Sequence, residues 1–332
     1  MSHPPLRLGI LGAARIAPLA LIRPARDCPG ASVCAVAARD RTRAERFARK
    51  HDIPGVHDSY RALLADPDID AVYNPLPNGL HGVWTERALR AGKHVLCEKP
   101  FTANAEQARS VSATARETGR VVMEAFHWRY HPLAARVLEI LASGELGEIR
   151  HVAAQLYAPI VNKRDIRYDL ALAGGATMDM GCYTLSIVRT LAGGEPTVRA
   201  ARAKLLKPGI DRAMEADLEF GDGRTGFVRC SMWSRHILGT SARVEGSRGT
   251  LTVINPVLPH FFHRLRVDTN AGWRRERIRG PATYRCQLDA FVAAIRDGAL
   301  LATGPDFSIA NMAAIDAVYE AAGLAPREPT RV

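Results

Sequence analysis

The sequence predicts an α/β fold with two parts: an N-terminal doubly wound parallel sheet and a C-terminal α+β domain with an open, mostly antiparallel sheet. The first 125 residues alternate short apolar runs with amphipathic patterns, which is typical of repeated β-α-β units. Past about residue 150, turn signals separate a series of strand-like segments. A chain of 332 residues is long enough for two hydrophobic cores. We therefore expect one domain over residues 1–125 and a second over residues 126–332, whose last helices cover the second sheet or return to the first domain.

Near-continuous apolar runs in the first part indicate strands of a parallel sheet that is covered on both faces. The predicted strands are LRLGIL (6–11), ASVCAVAA (31–38), DAVYN (70–74), HVLC (94–97) and RVVMEAF (120–126). The predicted helices between them are residues 41–51, 60–66, 82–92 and 105–119. Gly92 and Gly119 stand where helices end, because a residue without a Cβ tolerates the left-handed conformation found there.

The second part has a different texture. One helix is predicted over residues 177–193, and two closing helices over 284–298 and 308–323. The predicted strands are residues 197–205, 214–220, 225–233, 241–247, 249–254 and 262–269. Turn sequences such as GDGR (221–224) and GSRG (246–249) separate them, which favours antiparallel neighbours.

Composition narrows the function classes. The formal net charge is +11, yet the arginines are spread along the chain and form no basic arm, so no nucleic-acid partner is expected. Arginines interrupt the apolar stretches of the first 30 residues, so we expect a cytoplasmic protein without a membrane span. The six cysteines are scattered, whereas zinc and disulfide frameworks need closer spacing; we expect reduced thiols and no metal.

The segment GILGAARIA, residues 9–17, follows the first predicted strand. The dinucleotide fingerprint G-x-G-x-x-G/A would fall on Gly12, Ala14 and Ala17, so alanine replaces its middle glycine. Backbone amides at a helix N-terminus hold a pyrophosphate, and one methyl group at Ala14 leaves those amides in place. We predict that a cofactor contacts this loop through Gly9, Gly12, Ala13, Ala14, Arg15 and Ile16. The alternative is a plain tight turn.

The end of the second strand indicates which cofactor binds. An acidic residue there would accept a hydrogen bond from the ribose 2′-hydroxyl of NAD, whereas an arginine accommodates the 2′-phosphate of NADP. Here Ala38 and Arg39 precede Asp40, and Arg39 can pair with a phosphate in a bidentate fashion. The sequence therefore predicts NADP, with Ala38 and Arg39 at the adenosine end. Alternatively, Arg39 and Arg41 are merely exposed and Asp40 caps the next helix.

Polar residues close the fourth and fifth strands of the predicted sheet. The segment NPLPNGLH (74–81) closes one and Glu98-Lys99-Pro100 closes the other. Because ligands bind at the carboxyl ends of such strands, we expect these residues to border the cofactor crevice. The predicted cofactor contacts are Leu76, Pro77, Asn78, His81, Glu98 and Lys99. The proline fixes one dihedral and helps to aim Lys99, although a solvated loop is the simpler alternative.

A second group of polar residues lies in GGATMDMGCYTLS, residues 174–186. Asp179 and Tyr183 are four residues apart, so on a helix both project from one face. Their neighbours are apolar, which indicates a largely buried helix, and a buried carboxylate and phenol need partners. Taken alone, the pair is best explained by a tyrosine hydroxyl bonded to a core aspartate.

Together, the segments GILGAARIA, NPLPNGLH, CEKP, EAFHWRYHP and GGATMDMGCY resemble the Gfo/Idh/MocA oxidoreductase family along essentially the whole chain. The closest resemblance is to its NADP-dependent branch of dihydrodiol and D-xylose dehydrogenases and nucleotide-sugar ketoreductases. This resemblance implies a Rossmann domain, a catalytic Lys99, an Asp179 that orients substrate, and Tyr183 at the last motif position. It also implies that His127 and Trp128 line the pocket, and that the exposed face of the second sheet forms a dimer or tetramer.

The chemistry of these side chains leads to a functional hypothesis. A free tyrosine has a pKa of about 10, and a nearby ammonium lowers it and polarises a carbonyl oxygen. Tyr183 assisted by Lys99 can therefore exchange a proton with a secondary alcohol or ketone while hydride moves to or from NADP. Arg167, Asp169 and Asp179 suit the hydroxyls of a sugar, polyol, diol or nucleotide-linked ketosugar. The alternatives are a sensor without turnover and a nicotinamide-dependent glycosidase without net redox change.

Overall fold

The computed structural model describes residues 3–233 and 239–332. The chain forms two compact units. The first unit takes the described residues of Met1–Thr102, Glu106–Tyr130 and Ala282–Ile309. The second takes those of Ala103–Ala105, His131–Pro281 and Ala310–Val332.

A parallel sheet forms the centre of the first unit. Its strands are β1 (Leu6–Leu11), β2 (Ala31–Ala37), β3 (Gly55–His57), β4 (Ala71–Asn74), β5 (His94–Cys97) and β6 (Val122–Glu124). The order is β3-β2-β1-β4-β5-β6 with parallel pairing throughout, which confirms the predicted doubly wound fold. Ile10, Val72 and Val95 are fully buried, as expected for strands covered on both faces. The β3 strand is too short, at three residues, to have produced an apolar pattern.

Helices connect these strands. They are α1 (Arg23–Asp27), α2 (Arg41–His51), α3 (Tyr60–Ala65), α4 (Asn78–Arg90) and α5 (Ala105–Thr118). The helix predicted over 82–92 begins one turn earlier, at Asn78, directly after Pro77. Asp40 and Ser59 cap α2 and α3, because their side chains accept hydrogen bonds from Arg43 N and Ala62 N.

Two prolines interrupt the connection between β1 and β2, and the sequence pattern offers no explanation for them. Residues Pro18–Ile22 form a π-turn, closed by a hydrogen bond from Arg23 N to the carbonyl of Pro18, and α1 follows at once. Pro18 lies in the first turn of this helical run, where a helical N–H has no partner to lose. Pro24 follows inside the run, because Ile22 before α1 is itself helical, and the wider hydrogen bond from Arg23 to Pro18 directly precedes it.

The second unit contains a larger, open sheet. Its strands are β7 (Ile149–Tyr157), β8 (Pro196–Lys207), β9 (Ile210–Phe220), β10 (Thr225–Ser231), β11 (Gly239–Gly246), β12 (Gly249–Ile254), β13 (Arg264–Thr269) and β14 (Gly272–Glu276). Their order is β14-β13-β12-β11-β7-β10-β9-β8. Neighbours are antiparallel except for β7 and β10, which confirms the mostly antiparallel prediction. Strands β7 and β14 were not predicted; GWRRE, in β14, has almost no apolar side chain to show a strand pattern.

One face of this sheet is covered and the other is open. The helices α6 (Pro132–Ala142) and α7 (Cys182–Ala192) belong to this unit, and α7 packs on β7 and β10. The opposite face carries ion pairs between neighbouring strands, such as Arg202–Asp217 at 3.2 Å and Arg229–Glu215 at 2.9 Å. These alternating polar side chains are typical of a sheet that faces away from its own core.

Two helices close the chain, α8 (Thr283–Asp297) and α9 (Pro305–Ala321). Helix α8 belongs to the first unit, where it packs against α1, the π-turn at 18–22 and a 3-10 turn at His127–Tyr130. Among the residues that the structure describes, no helix has the length and apolar character needed to cross a membrane.

Candidate active site

The loop after β1 has the backbone of a nucleotide-binding turn. Gly12 has φ +98°, and its amide donates to the carbonyl of Ala37 at 2.7 Å. The positive φ strains any residue with a side chain at Gly12, and a Cβ there would also lie in tight contact, at 3.0 Å, with a methyl carbon of Leu76. Ala14, Arg15 and Ile16 lie next along this loop and are accessible to solvent. The loop therefore fits a dinucleotide pyrophosphate, with the two buried residues Gly9 and Ala13 supporting it from beneath.

Two arginines and a tyrosine lie beside this loop, where the sequence predicts the adenosine of the cofactor. Arg39 is exposed directly after Ala38, and Arg43 in α2 donates from its Nη2 to the carbonyl of Ala13 at 2.9 Å. The Tyr60 hydroxyl lies 3.7 Å from the position that a Cβ of Gly12 would take. Burial raises the pKa of Tyr60, and the charges of Arg39 and Arg43 oppose that shift. Sequence reasoning missed Arg43 and Tyr60, because only the folded chain brings α2 and α3 to the loop.

The segment after β4 is fixed by a buried histidine. His81 lies in α4, and its ring nitrogens are 2.7 Å from the Pro100 carbonyl and 2.6 Å from the Leu76 carbonyl. Burial lowers the pKa of His81 to about 4, and the two carbonyl contacts oppose that shift. A neutral imidazole donates to one of these carbonyls and only contacts the other. Asn74 is also buried, and its side-chain amide donates to the His81 carbonyl and to Thr85 Oγ1, both at 3.0 Å. His81 thus ties the two strand-end segments together, and Pro77 and Asn78 are the partly exposed residues between them.

The segment that carries Lys99 is held by buried hydrogen bonds. Glu98 is 8% exposed and accepts a hydrogen bond from the Tyr73 hydroxyl at 2.7 Å. On the other side, the amide of Phe101 donates to Glu124 Oε1 at 2.9 Å, and the Lys99–Pro100 peptide bond is cis. Glu98 is therefore no part of a solvated loop. Lys99 lies between these anchors and is partly exposed, at the carboxyl end of β5.

A group of aromatic residues lies on the 3-10 turn at His127–Tyr130 and on α8. His127 and Trp128 are almost fully buried, and the His127 ring lies 4.1 Å from the ring of Tyr284. Burial raises the pKa of Tyr284, and the negative charge of Glu98 adds to the rise. Within the described part of the chain, no hydrogen-bond acceptor meets the buried Nε1 of Trp128. Tyr284 belongs to this buried aromatic group, and no sequence pattern singles it out.

In the second unit, the structure brings the predicted substrate residues Arg167 and Asp179 together. Arg167 lies in a 3-10 turn, Ile166–Tyr168, and its Nε is 2.9 Å from Asp179 Oδ2. The charge of Asp179 raises the pKa of Arg167, and Asp165 adds to it from 3.1 Å. Asp169 instead caps the next turn by accepting from the amide of Ala171 at 3.0 Å. The Arg167–Asp179 pair is partly exposed, so it can bind a hydroxyl group: the carboxylate accepts a hydrogen bond from the hydroxyl, and the guanidinium donates one to it.

The predicted single helix over 177–193 consists of two pieces. Residues Thr177–Gly181 form a π-turn, and α7 begins at Cys182. Asp179 therefore lies in the π-turn, and Tyr183 lies in the first turn of α7 with 8% of its surface exposed. Short π-helical segments are rare and occur frequently at functional sites.

The parallel sheet with its glycine turn, together with a lysine at one strand end, defines a nicotinamide-dependent oxidoreductase. The chain belongs to the Gfo/Idh/MocA family: residues 6–126 match its model described as an oxidoreductase family with an NAD-binding Rossmann fold, and residues 134–252 match its C-terminal domain. The predicted family and the nicotinamide cofactor are thereby confirmed.

Named relatives cover nearly the whole chain. A D-xylose 1-dehydrogenase (NADP⁺) from Haloferax volcanii is 37% identical over 96% of this chain and 97% of its own. A dTDP-3,4-didehydro-2,6-dideoxy-α-D-glucose 3-reductase from Actinomadura kijaniata is 41% identical over 85% of this chain and 78% of its own. The crystal structure of a 3-ketoreductase from Actinomadura kijaniata, in complex with NADP and TDP-benzene, matches with a TM-score of 0.89 at 31% identity, over 96% of this chain and 98% of that one.

Proposed function

We propose that this protein is an NADP(H)-dependent dehydrogenase or ketoreductase that acts on a secondary alcohol or ketone of a sugar, polyol, diol or nucleotide-linked ketosugar. The observation that carries this proposal is the ion pair between Arg167 and Asp179, with 2.9 Å between Nε and Oδ2. Asp179 precedes Tyr183 by four residues. A carboxylate accepts hydrogen bonds from sugar hydroxyls, and a phenol nearby in sequence exchanges protons with an alcohol or ketone oxygen. The names of the relatives, a xylose dehydrogenase and a sugar ketoreductase, support the same chemistry.

The proposed roles of the catalytic residues follow from their side-chain chemistry. Tyr183 gives a proton to the substrate oxygen in reduction and removes it in oxidation. Lys99 favours the phenolate form of that tyrosine through its positive charge and polarises the substrate oxygen. Asp179, held by Arg167, orients the substrate through a neighbouring hydroxyl. NADP(H), when bound, donates or accepts a hydride at C4 of its nicotinamide.

The relatives also support the choice of Lys99 and Tyr183. Structures of the Actinomadura kijaniata ketoreductase include a variant with tyrosine replaced by phenylalanine and one with lysine replaced by alanine. Those two positions are the same number of residues apart as Lys99 and Tyr183 are in this chain. We infer that they correspond.

For the cofactor, Arg39 and Arg43 would hold the 2′-phosphate of NADP. Amides of the loop that follows Gly12 would hold the pyrophosphate, since the amide of Gly12 itself donates to the Ala37 carbonyl. The Arg43 side chain lies beside the loop, since its Nη2 donates to the Ala13 carbonyl at 2.9 Å, and Arg39 is exposed at the end of the neighbouring strand. An acidic residue, which would select NAD, does not stand at position 39.

A second copy of this chain is the proposed partner for the open face of the second sheet. Trp273 on β14 is 62% exposed there, with the guanidinium of Arg266 5.0 Å from its ring centre. An exposed tryptophan within a polar face is typical of an interface, where its large ring contributes most of the binding. Light scattering of the wild-type protein and Trp273→Glu tests this: a dimer or tetramer that dissociates in the variant supports the assignment, and an unchanged mass contradicts it.

The decisive experiment follows NADPH absorbance with free and nucleotide-linked sugars, in both directions. A net change in absorbance with one sugar class supports the proposal and names the substrate class. Cleavage of an aryl glycoside without net NADPH change would identify a glycosidase instead. Sugar binding in a thermal-shift assay without any turnover would identify a sensor.

A further inference from the structure

A buried charged cluster lies directly behind the turn that carries Asp179. Asp211 is at the start of β9 and fully buried, and its Oδ1 receives hydrogen bonds from Arg327 Nη2 at 2.8 Å and from the Tyr319 hydroxyl at 3.0 Å. The guanidinium carbon of Arg327 lies 4.0 Å from the centre of the Tyr319 ring. These residues come from one strand, from α9 and from the segment after α9, and all belong to the second unit.

The other oxygen of Asp211 holds the π-turn itself. Asp211 Oδ2 receives hydrogen bonds from both the amide and the hydroxyl of Thr177, each at 2.7 Å. Thr177 is the first residue of the π-turn, and the residue before it, Ala176, provides no side-chain cap. Asp211, in strand β9, therefore accepts the hydrogen bond that an N-cap residue of the segment itself would normally accept. Asp179 follows Thr177 by two residues.

The cluster also fixes the chain just before the turn. Arg327 Nε donates to the Gly174 carbonyl at 2.7 Å, and the amide of Gly175 donates to the Arg167 carbonyl at 2.8 Å. Gly175 has φ +136°, and a Cβ there would overlap the Asp211 carboxylate, the Tyr319 hydroxyl and Arg327. Residues 174–177 thus contact the cluster at Gly174, Gly175 and Thr177. The amide of Gly175 also connects this segment to Arg167.

The hydrogen bonding of Asp211 is saturated. An ionised carboxylate has about four acceptor positions, and the donors Arg327 Nη2, Tyr319 OH, Thr177 N and Thr177 Oγ1 make four hydrogen bonds to Asp211. Loss of any one donor, or of the negative charge, leaves buried polar groups without partners. The turn has little freedom to move while the cluster is intact.

We propose that Asp211 is a positioning residue for substrate. With Arg327 and Tyr319 it fixes the start of the π-turn Thr177–Gly181, so that Asp179 presents its carboxylate to a substrate hydroxyl in one orientation. This proposal rests on the proposed function of Asp179. It assigns a role in sugar recognition to Arg327, although the segment after α9 contains no motif residue.

Two substitutions remove single features of this cluster. Asp211→Asn keeps the size of the side chain and removes its charge, and Thr177→Val removes only the hydroxyl that reaches Asp211. Loss of a hydrogen bond to a buried charged group corresponds to about a tenfold effect or more. We expect the KM for the sugar to rise about tenfold or more in Asp211→Asn and by a smaller factor in Thr177→Val, with the Kd for NADPH within about twofold of wild type.

The matched controls separate positioning from general destabilisation. Thr177→Ser restores the hydroxyl and should restore the KM, and Asp222→Asn makes the same chemical change in the exposed turn after β9. A wild-type KM in folded Asp211→Asn or Thr177→Val overturns the proposal. So does an equal loss in Thr177→Ser, or a parallel loss of NADPH affinity.

If no sugar is turned over, the proposed function fails, and hydrogen exchange then still tests the positioning role of Asp211. Amides of residues 176–181 should exchange faster in Thr177→Val than in wild type and Thr177→Ser, while those of β4 and β5 exchange at wild-type rates. Unchanged exchange at 176–181 overturns the positioning role, whatever the turnover. Should Asp211→Asn fail to fold, the Thr177 pair alone decides the outcome.

Discussion

The two units hold their candidate catalytic residues by different means. In the first unit, Lys99 lies two residues after β5, and its segment is anchored by the two adjacent strands: the Tyr73 hydroxyl donates to Glu98 at 2.7 Å, and Glu124 accepts from the Phe101 amide at 2.9 Å. In the second unit, Asp179 lies in a turn that is fixed by Asp211, at 2.7 Å from Thr177, and this aspartate is itself held by the C-terminal segment.

This difference shows two ways in which a fold can aim a side chain. Parallel strands end at one edge of a sheet, so the chain order alone places Lys99 near the other strand-end residues. The π-turn has no such geometric guarantee, and a buried network of charged hydrogen bonds takes that role. We expect substitutions in the first unit to change chemistry or cofactor choice, and those in the second unit to combine lost stability with lost substrate recognition.

The largest expected effect tests the residues that both arrangements serve. Lys99→Met and Tyr183→Phe should each lower kcat by about 10²- to 10⁴-fold, the range for loss of a group that assists proton transfer. NADPH binding, measured by fluorescence titration, should stay nearly intact. Lys50→Met, in the exposed last turn of α2, serves as the control. Unchanged turnover in Lys99→Met would remove Lys99 from the chemistry.

The next effect concerns the stability of the second unit. Arg327→Met leaves the Asp211 charge buried without its partner, so the free energy of unfolding should fall by about 3–5 kcal/mol. Denaturant titration measures this loss, and Arg331→Met, an exposed neighbour in the same segment, should lie within about 0.5 kcal/mol of wild type. Equal stabilities for the two variants would show that the cluster contributes nothing to the fold.

Cofactor selection sharpens the comparison within the first unit. Arg39→Ala removes a bidentate phosphate contact, so the KM for NADP should rise about tenfold or more while the KM for NAD stays unchanged. Arg43→Ala also removes the contact with the Ala13 carbonyl, and it should weaken both cofactors. A lower KM for NAD than for NADP in the wild-type enzyme would contradict the assignment of the 2′-phosphate to these arginines.

The pH dependence of stability tests the buried histidine that ties the strand ends. The folded-state pKa of His81 is lowered to about 4, below the value of about 6.5 in an unfolded chain. The unfolded state therefore binds the proton first, and stability falls as the pH falls from 6.5 towards 4, by at most about 1.4 kcal/mol per pH unit. His81→Gln should flatten this slope in urea titrations at several pH values. An identical slope in the variant would show that His81 does not contribute to it.

The smallest effect belongs to an exposed ion pair of the first unit. Arg26 and Asp52 lie 3.0 Å apart, with side chains 60% and 82% exposed. Solvent screens such pairs, so Arg26→Ala should change the free energy of unfolding by less than about 1 kcal/mol. The contrast with Arg327→Met measures how far burial alone strengthens an arginine–aspartate pair. Comparable losses in both variants would remove that distinction.

Sequence patterns predicted what depends on chain order and missed what depends on distant contacts. The apolar run before Glu98 and Lys99 placed both residues correctly at a strand end, because a buried parallel strand is visible even in the four residues HVLC. Strand β3 has three residues, and β14 carries three consecutive charged residues, so neither produced a pattern. The helix around Asp179 was predicted as regular, since no local signal distinguishes a π-turn from α-helix.

The missed site residues share one property: their partners are far away in the sequence. Arg43, Tyr60 and Tyr284 reach the cofactor loop or the aromatic group only after the sheet has formed. Arg327 lies in a polar segment that would normally be expected to be exposed, yet it is 2% exposed and bonded to Asp211. Buried charge of this kind is invisible to periodicity, because its partner can come from any part of the chain.

The fluorescence of the Trp128 indole can report on the first unit. Its ring is 3% exposed, and its N–H meets no acceptor within residues 3–233 and 239–332. Indole emission shifts with hydrogen bonding and polarity, so occupancy beside this ring would be recorded as a change in fluorescence. The difference between wild type and Trp128→Phe would isolate that signal from the exposed Trp273, whose emission iodide should quench.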